Sequence, residues 1–159
     1  MGVALERAGR LTEAIRQYEQ ALRIKPDYVE AQNNLAWLLA TLTPAEGGDP
    51  VRAVALARQV CEITNNRVTA YLDTLAAAHA AAGRFNDAMT TAQRAIELAG
   101  STGQSELVGE IQARLQLYRG GRAYRQTIND DKSAQPMMSR TGLGTSSRNI
   151  HQSRNQVGQ

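Results

Sequence analysis

The chain has 159 residues, with 18 Lys and Arg against 15 Asp and Glu (net charge +3), two His and one Cys. A single Cys excludes an internal disulfide framework, and with two His it leaves no zinc site of ordinary spacing. Aromatic residues make up 4% of the chain, so a core must be assembled from Ala, Leu, Ile and Val.

The charge is unevenly spread. Residues 1–118 hold 11 basic and 13 acidic side chains, whereas residues 119–159 hold 7 and 2. The basic character therefore belongs to the C-terminal tail. Glu6, Arg7 and Arg10 interrupt any apolar run near Met1, so no secretory signal is read there. The longest apolar run, Leu35 to Ala40, is too short to span a membrane. The chain is expected to be soluble and cytoplasmic.

In chain order, Gly9-Arg10-Leu11 reads as a turn between a short helix, Gly2 to Ala8, and a second helix, Thr12 to Ile24, with Thr12 as N-cap. Lys25-Pro26-Asp27 closes that hairpin, because proline cannot continue a helix. A helix from about Val29 to Leu42 leads into the insertion Thr43 to Pro50, where Asp49 caps and Pro50 opens the next helix. Cys61 falls at helical spacing among apolar neighbours and reads as a buried structural thiol. Gly83-Arg84-Phe85 separates a helix over Val68 to Ala82 from one over Asn86 to Ala99, with Asn86 as N-cap. A last helix, Gln104 to Tyr118, carries Leu107, Ile111, Leu115 and Tyr118 as an apolar stripe and Glu110, Gln112 and Gln116 away from it. After Gly120-Gly121 the pattern stops, and residues 126–159, rich in Ser, Gln, Asn, Arg and Gly, read as disordered.

Three of these helices can be laid over one another. They read Ala14-Ile15-x-x-Tyr18-x-x-Ala21-Leu22-x-Ile24, Ala53-Val54-x-x-Ala57-x-x-Val60-Cys61-x-Ile63 and Ala88-Met89-x-x-Ala92-x-x-Ala95-Ile96-x-Leu98. A recurrence of this length with small residues at helical spacing describes stacked helical hairpins. The insertion Thr43 to Pro50 accounts for the longer first interval.

The spacing resembles the tetratricopeptide repeat. Ala14, Tyr18, Ala21 and Pro26, preceded by Gly9, match the second half of one unit. Leu35, Ala36, Leu39, Ala53, Ala57 and Val60 give the next, without the turn glycine. Leu72, Leu75, Ala76, His79, Gly83, Phe85, Ala88, Ala92 and Ala95 give the third, with Gly100 where proline would stand. Leu115-x-Leu117-Tyr118-Arg119-Gly120-Gly121-Arg122-Ala123-Tyr124-Arg125 is similar to the common chain terminus of bacterial tetratricopeptide proteins. The resemblance implies an all-α TPR-type α-solenoid. It divides the chain into repeats over 1–100 (about 2.5 hairpins, the first truncated), a capping helix over 101–119 and a disordered basic tail over 120–159. Half a first helix leaves the N-terminal face uncovered, so a longer parent protein or self-association through that face is expected.

The resemblance further implies a non-enzymatic scaffold or adaptor without a cofactor. A peptide or helix would lie in its concave groove, which the first helix of each hairpin lines. The alternative is the C-terminal region of a larger enzyme, such as a bacterial glycosyltransferase. Carried over by position, the groove takes Asn33, Asn34 and Trp37 from one unit and Asp73 and Arg84 from the next. An indole at Trp37 either anchors a peptide or packs against a neighbouring helix or the insertion loop. Asn33 and Asn34 either hydrogen-bond a ligand backbone or line a solvated face. Asn33 and Trp37 stand where the family's carboxylate clamp needs Lys and Asn, so that activity is not expected. His79 is expected to pack in its hairpin, and His151 has no ligand partners nearby. Gly142-Leu143-Gly144-Thr145 lacks the flanking elements and the Lys-Ser/Thr of a phosphate loop. The tail offers weak, salt-sensitive attraction to polyanions and no specific nucleic-acid recognition.

Overall fold

The structure is a computed structural model that describes residues 2–126, with side chains described from Gly9 onward. Six α-helices form it: α1 (Gly2–Ile24), α2 (Val29–Thr41), α3 (Pro50–Ile63), α4 (Thr69–Ala81), α5 (Phe85–Ser101) and α6 (Ser105–Arg119). There is no strand among the described residues. Each helix packs on the next in sequence, and α2 also packs on α4 and α4 on α6. The result is an inner row of α2, α4 and α6, with α3 and α5 packed between successive members and α1 against α2. The reading of the tail as disordered lies, beyond Gln126, outside the described residues.

Alanine sets the spacing of this stack. Ala88, Ala92, Ala95 and Ala99 recur down one face of α5, all with no exposed surface, and Ala53 and Ala57 are likewise buried in α3. Methyl-sized side chains let the helix backbones approach closely. Ala88→Leu is accordingly expected to cost about 1–3 kcal/mol through overpacking. A urea melt of the variant that coincides with wild type would refute this tight contact.

The turns after α3, α4 and α5 share one closure. Where α4 ends, Gly83 takes φ +76° and the Arg84 amide reaches back to the His79 carbonyl at 2.8 Å. This is the six-to-one bond of a Schellman motif, which needs the left-handed conformation that glycine adopts without strain. The end of α3 has no glycine. Asn65 and Asn66 take φ of 53° and 56° there, and the Asn66 amide bonds the Cys61 carbonyl at 2.8 Å. Asparagine tolerates this region better than most residues. That turn was missed in the sequence because no glycine marks it.

Several boundaries differ from the sequence reading. Helix α1 runs unbroken through Gly9, so Gly9-Arg10-Leu11 is not a turn and Thr12 is not a cap. A helical glycine costs only about 1 kcal/mol relative to alanine, too little by itself to break the helix. Asn86 lies inside α5, which starts at Phe85. Asp49 does cap α3: its Oδ1 accepts from the Arg52 amide at 3.1 Å, with Pro50 at the first position. The insertion is ordered as a 3-10 turn, Pro44–Glu46. The Glu46 carboxylate accepts from both the amide (2.9 Å) and the hydroxyl (2.7 Å) of Thr43. A Cβ on Gly48 would stand 2.1 Å from the Leu42 carbonyl oxygen, so no larger residue fits where this loop passes the end of α2.

Candidate functional site

The inner row is almost wholly buried. In α2 every residue from Ala31 to Thr41 is buried, and in α4 Thr69 and every residue from Tyr71 to Ala80. Asn33, Asn34 and Asp73 have no exposed surface and Trp37 has 3%. Four of the five groove candidates are therefore covered, while Arg84 is exposed at the α4–α5 turn, apart from the others.

What covers part of them is built from α6 and the segment after it. Arg114 presents its guanidinium to Asp73, with Nε to Oδ1 at 3.1 Å and Nη2 to Oδ2 at 2.5 Å. Its Nη2 also lies 3.8 Å from a Glu110 carboxylate oxygen. The two-pronged contact uses both carboxylate oxygens, a geometry that the planar guanidinium matches. Complete burial outweighs the attraction of Arg114 and holds the Asp73 carboxyl above the usual carboxylate range. Burial works against the Arg114 charge, but Asp73 outweighs it and keeps the guanidinium above its ordinary value. Close by, burial also raises the pKa of the Tyr118 phenol.

The same guanidinium sits 5.4 Å from the ring centroids of both Trp37 and Tyr124, and the two rings are 5.7 Å apart at 39°. A cation placed against two aromatic faces gains from both ring quadrupoles. Tyr124 reaches this position because α6 ends in its own Schellman closure. Gly121 takes φ +69°, its amide bonds the Tyr118 carbonyl at 3.0 Å, and the Arg122 amide bonds that of Leu117 at 2.9 Å. The chain thus turns back across the inner row. Arg125 Nη1 donates to the carbonyls of Leu42 (2.9 Å) and Ala40 (3.5 Å) at the C-terminal end of α2. The Gln126 amide donates to the Thr41 carbonyl at 3.0 Å, and the Thr41 hydroxyl meets the Gln126 side chain at 3.4 Å. Helix α2 has no basic residue in its last turn, so Arg125 supplies the cation that the negative end of the helix dipole favours.

Residues 120–126 therefore follow a defined path, which corrects the reading of a tail disordered from residue 120. Sequence reasoning also missed Arg114. The signal was present, since Arg114 falls with Ile111, Leu115 and Tyr118 at the spacing of one buried stripe.

The remaining polar groups divide by direction. The Tyr18 phenol of α1 lies beside Asn34; burial raises its pKa and the Asn34 amide opposes the rise. Asn34 thus faces the α1–α2 contact. Both amide atoms of Asn33, and Nε1 of Trp37 one turn later, have no hydrogen-bond partner among the described residues. Cys61 is buried, its thiol donates to the Tyr71 carbonyl at 3.4 Å, and burial pushes its pKa up to about 11. A thiol held protonated in this way is a poor nucleophile. An open depression of about 860 Å³ lies at the other end of the inner row, by Glu30, Arg67, Thr69, Gln104 and Glu106. It is distant from the Trp37 stack, at the N-terminal ends of the helices whose C-terminal side holds Arg125. Among the described residues no group of three or more His, Cys, Asp or Glu could hold a metal ion, and no helix is long and apolar enough to cross a membrane.

His79 is 7% exposed and packs within its hairpin. Burial lowers its pKa, with Asp87 opposing and Arg58 and Arg84 reinforcing the shift. An unfolded histidine takes up its proton near about pH 6.5. Below that value the unfolded chain binds a proton that the native state still refuses, so stability should fall as the pH drops. Urea midpoints at about pH 7.5 and about pH 5.5 should separate more for wild type than for His79→Gln. Equal separation would remove His79 as the cause.

Helical hairpins stacked on a shared inner row, with paired polar and aromatic groups set into that row, define a helical-repeat array of the α-solenoid class. Residues 4–42 match the family model for the TPR repeat, so that stretch is similar to a tetratricopeptide unit. No curated protein and no solved structure gives a significant match to the chain.

Proposed function

We propose that this array is a protein–protein interaction module that receives an extended peptide along its inner row, as a scaffold or adaptor and not as an enzyme. Tetratricopeptide repeats in general mediate such contacts. The observation that carries the reading is that the row already holds an extended segment by side-chain stacking and main-chain hydrogen bonds: the molecule's own Tyr124-Arg125-Gln126. Asn33, Trp37 and Asp73 are the proposed contacts, through the unpaired Asn33 amide, the Trp37 ring and the Asp73 carboxylate that orients Arg114. Asn34 supports the row from the α1 side, and Arg84 would meet only a partner long enough to reach the α4–α5 turn.

Trp37 is the only tryptophan in the chain, so its emission reports this face alone. A displayed library of linear peptides screened against the full chain should yield binders that shift Trp37 emission and lose affinity in Asn33→Ala. Binders that leave the emission unchanged would place recognition elsewhere and refute the reading. Self-association through α1 is a separate proposal, read by sedimentation of the chain over a range of concentrations.

A further inference from the structure

We propose that the segment Arg122 to Gln126 is a built-in competitor for the inner row, and that the partner peptide it resembles carries an aromatic residue followed directly by an arginine. This deepens the interaction reading above and rests on it.

Three of the segment's contacts are of a sort that a foreign peptide can copy. Tyr124 fills a slot whose walls are the Trp37 ring and the Arg114 guanidinium, 5.7 and 5.4 Å from its centroid. That slot selects an aromatic side chain, because a cation rewards a π face and not an aliphatic one. One residue on, Arg125 reaches two carbonyls at the C-terminal end of α2. That site takes a cation, whose Nη1 alone meets both carbonyls here, and rejects a carboxylate by the sign of the helix dipole. The Gln126 amide then meets the Thr41 carbonyl, a main-chain contact indifferent to side chain. The site thus reads an aromatic–arginine step in an extended backbone, a chemistry recorded in the chain itself.

The attachment is also of a kind that can be released. The segment joins α6 through Gly120 and Gly121, packs Ala123 and Tyr124 on the core, and bonds α2 through Arg125 and Gln126. A tethered ligand of this kind competes at an effective concentration near 1 mM. Were the free segment to bind with a dissociation constant of about 0.1 mM, the tether would weaken an external copy by about tenfold. The Arg114–Asp73 bonds do not involve Tyr124, so one wall of the slot is held by residues outside the segment.

The test uses the full chain and an amidated peptide copying residues 120–126. Trp37 emission is followed on titration into wild type and into the full-length Tyr124→Ser/Arg125→Ser variant, with helicity checked by circular dichroism. The expected result is binding to the variant about tenfold tighter than to wild type, abolished when the peptide carries the same two serines. A helical variant that binds the peptide no better than wild type, or not at all, overturns the proposal. Should the variant lose its fold, amide exchange in wild type decides. Saturating peptide should speed exchange at residues 123–126, and unchanged exchange there overturns the proposal.

The two readings fail separately. Library peptides that bind the Trp37 face of wild type and variant equally would leave the interaction module standing and remove the competitor. A trans peptide that binds the variant while no library peptide does would leave the segment's docking standing and remove the module.

Discussion

Asp73→Leu should lower the stability of the chain by about 3–5 kcal/mol, with the lower end expected. The substitution leaves the Arg114 guanidinium in place with its bidentate partner gone. Arg114 is only 9% exposed, and a desolvated cation without a counter-charge carries a cost larger than the pair was worth. Glu110, at 3.8 Å, offers a partial substitute, which is why the lower end applies. The double variant Asp73→Leu/Arg114→Leu should recover most of the loss, because neither charge is then buried. Urea midpoints of the two single and the double variants give the coupling directly. Additive single effects would mean that the pair does not act as a unit.

Trp37→Ala should be the second largest, at about 3 kcal/mol. The indole is 3% exposed and belongs to the apolar core, yet two of its contacts come from Arg114 and Tyr124 and not from the hairpins. Part of the loss should therefore be shared with Tyr124. In Tyr124→Ala the further cost of removing Trp37 should shrink by several tenths of a kcal/mol or more, the range usual for aromatic pairs. Thermal melts of the four proteins measure that difference. A Trp37 effect undiminished in the Tyr124→Ala background would show that the indole is held by the hairpins alone.

Much of the architecture was legible because the stack rewards local rules. Ala88, Ala92 and Ala95 announced a close-packed face, and Asp49-Pro50 announced the start of α3, since these signals act within one or two turns of chain. The misreadings have a different origin. Gly9 looks like the glycine at Gly83, but Gly9 continues α1 whereas Gly83 takes a positive φ, and the residue type alone does not decide between the two. Gly120-Gly121 looked like the end of order, whereas Gly121 redirects the chain by the same closure used at Gly83.

The burial of the candidate residues was not legible in the sequence. Asn33, Trp37 and Asp73 do lie on the inner row, but a single repeat unit does not show what lies over it. Arg114 was overlooked because a charge on an apolar stripe is readable as buried only once its carboxylate, 41 positions earlier in the chain, is known to stand opposite.

The contact of Gln126 with Thr41 joins residues 85 positions apart. In a stack of hairpins each unit ordinarily knows only its neighbours, and fraying begins at whichever end is weaker. A bond from beyond α6 to α2 skips the units between, so it ties the two ends of the described inner row together. Loss of the last helix would then be felt at α2 as soon as at α5. Exchange protection should accordingly be level from α2 to α6 instead of tapering toward the C-terminus, with the taper restored when Tyr124 and Arg125 are replaced.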